Sequence, residues 1–171
     1  MVSDPSTPWR TLAAVHLLFV CLGNICRSPT AEGVMTALVE RAGAADEITV
    51  DSAGTGSWHV GGPPDDRASA AAAERGFPLT SIARQVTPAD FVTADLLLAM
   101  DARNAADLRA LAPDDAAAAK VRLLRSYDPA SDGADLDVPD PYYGDGDGFS
   151  LVLDQVEAAC AGLLEAVRPA T

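Results

Sequence analysis

Near the N-terminus the chain reads Val20-Cys21-Leu22-Gly23-Asn24-Ile25-Cys26-Arg27-Ser28-Pro29. The apolar run 16–20 leads into this segment and predicts a buried strand, while apolar residues recur at helical spacing over 31–39. Ser28 is predicted to cap that helix and Pro29 to occupy its first position, where the missing N–H costs nothing. A cysteine at a strand end, an arginine six positions later and a helix N-terminus predict an anion site that contains a nucleophile. Phosphate suits such a site better than other common ligands.

Strands and helices alternate along the rest of the chain. Short apolar runs predict strands at 48–52, 96–100 and 121–124, and helices are predicted near 65–76, 87–91, 102–111 and 149–167. This order predicts an α/β fold in which a parallel sheet is covered by helices on both faces. Ligands of such sheets bind at the carboxyl ends of the strands, where Cys21 lies. We expect one domain over 15–168, preceded by a mobile tail over 1–14.

The composition argues against several function classes. With a net charge of −13 and a pI near 4.3, the chain is not expected to bind nucleic acid or an anionic membrane, because both require basic patches. Its three cysteines, Cys21, Cys26 and Cys160, form neither a disulfide framework nor a zinc motif and indicate a reducing, cytoplasmic location. No apolar run approaches the ~18–20 residues of a membrane span, and the first residues do not resemble a signal peptide.

The loop after the first predicted strand can carry phosphoryl-transfer chemistry. Its successive backbone N–H groups are expected to converge on an anion, with Gly23 supplying the backbone freedom of a tight cradle. Arg27 can bind two phosphate oxygens at once, and the same positive field favours the thiolate of Cys21. A thiolate beneath a bound phosphate is an in-line nucleophile that forms a phosphocysteine, and Ser28 can donate a hydrogen bond to the sulfur when it departs.

Expulsion of an alkoxide or phenoxide also requires a proton donor. The best candidate is Asp140, in the segment Asp140-Pro141-Tyr142-Tyr143-Gly144 of a predicted long acidic loop over 128–148. The proline holds Asp140 extended, and the two tyrosines can line a pocket. Taken alone, the segment is also typical of a solvated acidic turn with surface tyrosines.

Five segments together resemble the low-molecular-weight protein tyrosine phosphatase family, in its bacterial type. They are Cys21–Pro29, Ser52–Gly61, Ala83–Gln85, Met100–Asp101 and Asp140–Gly144, and the resemblance runs from about Leu17 to Arg168. It implies a single-domain, four-stranded parallel sheet with helices on both faces, and neither metal nor cofactor. The implied substrates are proteins that contain phosphotyrosine, and the implied product is inorganic phosphate.

The resemblance also implies residue roles. Cys21 matches the nucleophile, Arg27 the phosphate clamp, and Asp140 the general acid that later activates water. Cys26 matches a thiol that can form a reversible disulfide with an oxidised nucleophile. The implied phosphate-binding residues are Leu22, Gly23, Asn24, Ile25, Cys26 and Ser28. Ser52 and Asp101 are implied to support the loop. The residues implied to line the pocket for an aromatic ring are Leu22, Ile25, Trp58, Tyr142 and Tyr143.

One departure and three alternatives accompany this interpretation. Many relatives carry a histidine where this chain has Ser81, so Ser81 or water must replace its support of the loop asparagine, or the loop is looser. An arsenate reductase on the same scaffold would need further redox cysteines near 85–100, where there are none. Phosphoarginine phosphatases tend to carry threonine at the position of Ile25, and phosphocarriers of similar fold generally lack a clamp such as Arg27.

Overall fold

The computed structural model of the chain describes residues 14–142 and 147–168. The tail predicted for 1–14 therefore lies, apart from its last residue, outside the described residues. The strands are β1 (Val15–Cys21), β2 (Ile48–Gly54), β3 (Leu96–Ala99) and β4 (Val121–Leu123). The helices are α1 (Arg27–Arg41), α2 (Asp66–Glu74), α3 (Asp90–Thr93), α4 (Ala102–Leu111), α5 (Asp115–Ala118) and α6 (Asp147–Val167), with a 3-10 turn at Leu124–Tyr127.

The four strands form one parallel sheet in the order β2-β1-β3-β4. The central strand β1 pairs Cys21 with Gly54 of β2 and Val20 with Ala99 of β3, so its carboxyl end is flanked by a strand on each side. The predicted fold class, a four-stranded parallel sheet with helices on both faces, is confirmed. The β1–α1 loop, residues 22–26, leaves the sheet at this central position.

Alternating side chains of β1 belong to two hydrophobic cores on opposite faces of the sheet, as expected of a strand buried on both faces. Leu17 and Phe19 pack beneath α1, α2 and α6, whereas Leu18 and Val20 pack beneath α3, α4 and α5. Helix α5 and the 3-10 turn were not predicted, because four residues are too few to show a period. No helix within 14–142 and 147–168 is both long and apolar enough to cross a membrane.

The prediction that Ser28 caps the first helix is wrong. Helix α1 begins at Arg27 with Cys26 as its N-cap, and no side-chain hydrogen bond caps it. Ser28 lies inside the first turn, and its hydroxyl faces the Cys21 sulfur, 3.0 Å away. Pro29 is accordingly the third helical residue, and its missing N–H is still harmless because the first four N–H groups of a helix have no intrahelical partner.

The prediction that Gly23 supplies the backbone freedom of the loop is also wrong. Asn24 is the residue with a positive φ, 57°, and asparagine tolerates this left-handed conformation better than most side chains. Gly23 instead allows a close approach, since an added Cβ would lie 3.1 Å from Cδ2 of His59.

Candidate active site

A cavity of about 360 Å³ opens at the carboxyl end of β1. It is the place where the sheet, the first turn of α1 and the segment before α6 meet. The predicted site residues that line it are Cys21, Leu22, Gly23, Ile25, Cys26, Arg27, Trp58, Asp140 and Tyr142. Asn24, Ser28, Ser52 and Asp101 lie behind this lining. Tyr143 lies outside the described residues, and no group of three or more His, Cys, Asp or Glu side chains in the described ranges could hold a metal ion.

The Cys21 sulfur is surrounded by hydrogen-bond donors. The Asn24 N–H donates to Sγ at 3.3 Å, and the Ser28 hydroxyl lies 3.0 Å from it. Ser28 Oγ accepts a hydrogen bond from Nδ2 of Asn24 at 2.8 Å, and its own proton can be donated to the sulfur or to the Ala53 carbonyl oxygen, 3.4 Å away. The donors around the sulfur and the N-terminus of α1 together form a site suited to an anion.

The side-chain amide of Asn24 is fixed by three hydrogen bonds. Besides its contact with Ser28, Nδ2 donates to Oγ of Ser52 at 3.0 Å, and Oδ1 accepts from the Arg84 N–H at 3.0 Å. Ser52 in turn donates to Oε1 of Glu32 at 2.5 Å. Burial raises the pKa of Glu32, an effect that the Ser52 hydrogen bond partly offsets. This chain of contacts links the nucleophile loop to α1 and β2 and holds Asn24 in its left-handed conformation.

The guanidinium of Arg27 is buried, and hydrogen bonds to other segments fix its position. Its Nη1 donates to Oδ2 of Asp101 at 2.6 Å and to the Val138 carbonyl oxygen at 2.9 Å, while Nη2 lies 3.6 Å from Oδ2 of Asp140. Burial alone lowers the pKa of Arg27, but the negative charges of Cys21, Asp101 and Asp140 outweigh burial and raise it. Asp101 also caps α4 through the Asn104 N–H at 2.7 Å, so a helix terminus fixes the partner of the arginine.

Asp140 reaches the cavity on a segment anchored to α2. Its Oδ1 accepts from the Tyr142 N–H at 3.0 Å, and the carbonyl of Tyr142 accepts from Nη2 of Arg67 at 3.0 Å. Arg67 also packs its guanidinium 5.6 Å from the centre of the Tyr142 ring and 4.9 Å from that of Phe149. The Asp65 carboxylate holds Arg67 in place, and this contact lowers the pKa of Asp65.

Cys26 lies in the same cavity but in different surroundings. Burial, reinforced by the negative charges of Asp65, Cys21 and Asp140, raises the pKa of Cys26 to about 12. Cys26 is therefore a neutral thiol near neutral pH. All three cysteines are free thiols.

The outer walls of the cavity are apolar and aromatic. Leu22 and Ile25 flank its mouth together with Tyr142 and Trp58, and Trp58 is 74% exposed. His59 joins them, and its ring centre lies 6.0 Å from that of Tyr142. A flat ring can enter between these side chains with its substituent directed toward Cys21.

The sequence assigned no role to four residues of the site: Glu32, His59, Arg67 and Arg84. Glu32 follows Ser28 by four residues on the same helix, a spacing that places both side chains on one face and offers a usable signal. The roles of Arg67 and Arg84 depend on contacts between distant segments, which no local pattern reveals. Ser81 does not support Asn24: its buried hydroxyl has no hydrogen-bond partner among the described residues, and the amide oxygen of Asn24 accepts from the Arg84 N–H.

Comparisons with known proteins agree on one family. The family model described as low molecular weight phosphotyrosine protein phosphatase matches residues 16–170. A low molecular weight protein-tyrosine-phosphatase of Streptomyces coelicolor is 57% identical over 153 residues, which cover 90% of this chain and 93% of that protein. The human low molecular weight phosphotyrosine protein phosphatase is 42% identical, with 90% and 96% covered. The crystal structure of a protein tyrosine phosphatase from Entamoeba histolytica with Hepes in the active site superimposes with a TM-score of 0.85 at 38% identity, covering 89% of this chain and 96% of that one.

Proposed function

This chain belongs to the low molecular weight phosphotyrosine protein phosphatase family, and we propose that it hydrolyses phosphotyrosine in proteins through a phosphocysteine intermediate on Cys21. One observation carries the mechanism. Cys21, Arg27 and Asp140 line the same cavity, and the Cys21 sulfur already accepts a backbone N–H hydrogen bond. A nucleophile, a cation for the phosphate and a carboxyl group for the leaving oxygen are thus within reach of one substrate.

In the first step the Cys21 thiolate attacks phosphorus in line with the tyrosyl oxygen. The sulfur–phosphorus bond forms while the phosphorus–oxygen bond breaks, and the Asp140 carboxyl group gives its proton to the departing tyrosine oxygen. Arg27 and the N–H groups of the β1–α1 loop bear the charge of the transferred phosphoryl group. The anchoring of Arg27 by Asp101 and Val138 supports this role, because a clamp fixed in advance loses little freedom when it binds.

In the second step water attacks the phosphocysteine. Asp140, now a carboxylate, accepts a proton from the water as the new phosphorus–oxygen bond forms and the sulfur–phosphorus bond breaks. The Ser28 hydroxyl stabilises the departing thiolate through its 3.0 Å contact with Sγ. The product is inorganic phosphate, and no metal or cofactor takes part.

The walls of the cavity support an aromatic phosphate as substrate. Ile25, Trp58 and Tyr142 offer apolar surface to a phenyl ring, whereas a guanidinium phosphate would bring polar N–H groups against it. Phosphotyrosine is therefore favoured over phosphoarginine. The partners we propose are phosphotyrosine proteins in a reducing cytoplasm, where the three free thiols would remain reduced, and not nucleic acids.

Two variants test the mechanism. Cys21→Ser is expected to abolish turnover. Asp140→Asn is expected to slow hydrolysis of phosphotyrosine peptides by about 10²–10⁴-fold and to slow p-nitrophenyl phosphate far less, because nitrophenolate departs without a proton. The matched control is Asp132→Asn, which changes another exposed carboxylate of the same loop.

The measurement is steady-state kcat/KM on phosphotyrosine, phosphoserine and phosphoarginine peptides, with arsenate reduction assayed alongside. Equal losses for good and poor leaving groups in Asp140→Asn would reject Asp140 as the acid. A preference for phosphoarginine, or turnover of arsenate, would reject the substrate class.

A further inference from the structure

A second cavity of about 320 Å³ lies beside the active-site cavity. Leu22 and Trp58 line both cavities, so the two spaces share a wall. The remaining lining of the second cavity includes Val86, Leu111, Arg103 and Asp107, none of which takes part in the mechanism proposed above. When one group of a substrate fills the first cavity, the substrate atoms next to that group therefore lie close to the second cavity.

The position of Trp58 depends on Gly56. A Cβ added to Gly56 would lie 2.0 Å from Cζ3 of Trp58 and 2.4 Å from Cε3, so the indole lies directly against the glycine backbone. This contact holds a largely exposed tryptophan between the two cavities. A large aromatic side chain left at the surface between two concavities is typical of a contact surface for a ligand.

The chemistry of the second cavity favours an apolar occupant. Val86 and Leu111 add apolar surface to that of Leu22 and Trp58. Thr55 and Gln85 also line the cavity, and the Gln85 amide donates to the Thr55 carbonyl oxygen at 3.1 Å. The charged pair at the rim is balanced, because Nε of Arg103 lies 3.8 Å from Oδ2 of Asp107 on the same helix. Arg103 is thus partly neutralised, in a chain whose net charge is −13, and a carboxylate gains little there.

We propose that the second cavity binds an apolar side chain of the phosphoprotein, within two residues of the phosphotyrosine. The inference rests on the proposed function, since the phosphotyrosine must occupy the first cavity. An extended peptide advances about 3.3–3.6 Å per residue, so side chains one or two positions away reach a cavity that shares a wall with the first. Leu111 and Val86 then determine which phosphopeptides are preferred, while Trp58 contacts both the ring and its neighbour.

The test compares substrates that differ only beside the phosphotyrosine. Peptides carry leucine, glycine or aspartate at each position from −2 to +2, and kcat/KM is measured for each and for p-nitrophenyl phosphate. Leucine at one of these positions is expected to raise kcat/KM by about tenfold over glycine. Leu111→Gln is expected to remove most of this preference and to leave p-nitrophenyl phosphate within about twofold of the unaltered protein. The control is Leu151→Gln, an exposed leucine on α6 outside the cavity.

Each outcome decides one question. Loss of the leucine preference in Leu111→Gln but not in Leu151→Gln supports the subsite. An unaltered protein that hydrolyses p-nitrophenyl phosphate and all peptides equally overturns the subsite and leaves the proposed function intact. A preference for aspartate that Arg103→Ala removes also overturns the apolar assignment. No hydrolysis of any aryl phosphate would instead reject the proposed function.

Discussion

Cys21, the last residue of β1, and Cys26, the last residue of the β1–α1 loop, lie five positions apart, yet their environments differ. Cys21 faces the Asn24 N–H and the Ser28 hydroxyl, both of which stabilise an anion. Cys26 faces the carboxylates of Asp65 and Asp140 from a buried position, and its pKa is raised to about 12. The third cysteine, Cys160, lies on the buried face of α6, and burial raises its pKa as well.

This difference predicts the order of thiol modification. At pH 7, iodoacetamide is expected to label Cys21 at least about 100-fold faster than Cys26 or Cys160, because the thiolate is the reactive form. Peptide mass spectrometry after timed labelling measures the rates. Inorganic phosphate should protect Cys21, and Cys21→Ser should leave Cys26 unlabelled. Labelling of Cys26 at a comparable rate would contradict the assigned environments.

At the scale of elements, α6 packs against the 3-10 turn through a glycine. A Cβ added to Gly162 would lie 1.8 Å from the backbone oxygen of Tyr127, which cannot move as a side chain can. Gly148, near the start of the same helix, has room: its added Cβ would lie 3.4 Å from Cβ of Pro141, an ordinary contact. Position 162 of α6 therefore has no room for a side chain, whereas position 148 of the same helix can accommodate a methyl group.

We expect the two Gly→Ala substitutions in α6 to have opposite signs. Gly148→Ala should stabilise the protein by at most about 0.5–1 kcal/mol, the gain in a helix interior, because Gly148 lies in the first turn of α6. Gly162→Ala should destabilise it by about 2 kcal/mol or more, because the helix must move away from Tyr127. Urea unfolding measures both free energies. Stabilisation by Gly162→Ala would show that this contact yields at little cost.

The segment between α2 and α3 is held by an ion-pair cluster around Arg84. Its guanidinium donates to both carboxylate oxygens of Asp90 at 3.1 and 3.0 Å and to Asp51 at 2.9 Å. Asp90 also accepts from the Thr87 N–H at 2.8 Å. Burial opposes ionisation of Asp90, but the contacts with Arg84 and Thr87 outweigh it and lower its pKa. The backbone N–H of Arg84 thereby stays in place to hold Asn24.

The lowered pKa of Asp90 predicts a pH-dependent contribution to stability. A carboxyl group with a lower pKa in the folded than in the unfolded state, where it is about 3.9, stabilises the fold at higher pH and ceases to do so as pH falls through the folded value. Asp90→Asn should therefore lower the free energy of unfolding by about 1–3 kcal/mol at pH 7, and by less near pH 3. Unfolding in urea at both pH values tests this, with exposed Asp46→Asn as control. An equal loss at the two pH values would contradict it.

At the scale of the whole molecule, the net charge of −13 surrounds a site that is itself built to hold an anion. The cationic group at that site, Arg27, is buried and close to two carboxylates. Its attraction is therefore short-ranged, whereas the repulsion from the surface extends over about 10 Å at moderate salt. An acidic phosphopeptide must approach against this field.

Salt should accordingly accelerate the reaction with acidic substrates. We expect kcat/KM for a phosphopeptide with acidic flanks to rise about two- to fivefold between ~20 and ~300 mM NaCl, because screening weakens the repulsion. A peptide of the same length with lysine flanks should show the opposite trend. Stopped-flow or steady-state assays at constant pH measure both. A fall for the acidic peptide would indicate a cationic approach surface that the charge balance does not suggest.

Local sequence pattern was sufficient for much of the fold. The alternation of apolar runs and helical periods predicted the parallel sheet and its two helical layers, because burial dictates periodicity within each element. The spacing of Cys21 and Arg27 likewise predicted an anion loop, since both belong to one strand–loop–helix unit. Two predictions from the local pattern were wrong: the helix cap assigned to Ser28 and the backbone freedom assigned to Gly23. Both features depend on contacts with neighbouring segments.

Only the three-dimensional arrangement decides which distant residues meet at the loop. Val138 and Asp101 hold Arg27, and the Arg84 N–H holds Asn24, through contacts between segments far apart in the chain. Arg67 likewise anchors the Asp140 segment to α2. None of these pairs follows a period or a fixed spacing, because each joins segments that come together only when the strands and the helices that cover them pack. The chemistry of each residue is therefore local, while its orientation toward a substrate is a property of the packed sheet.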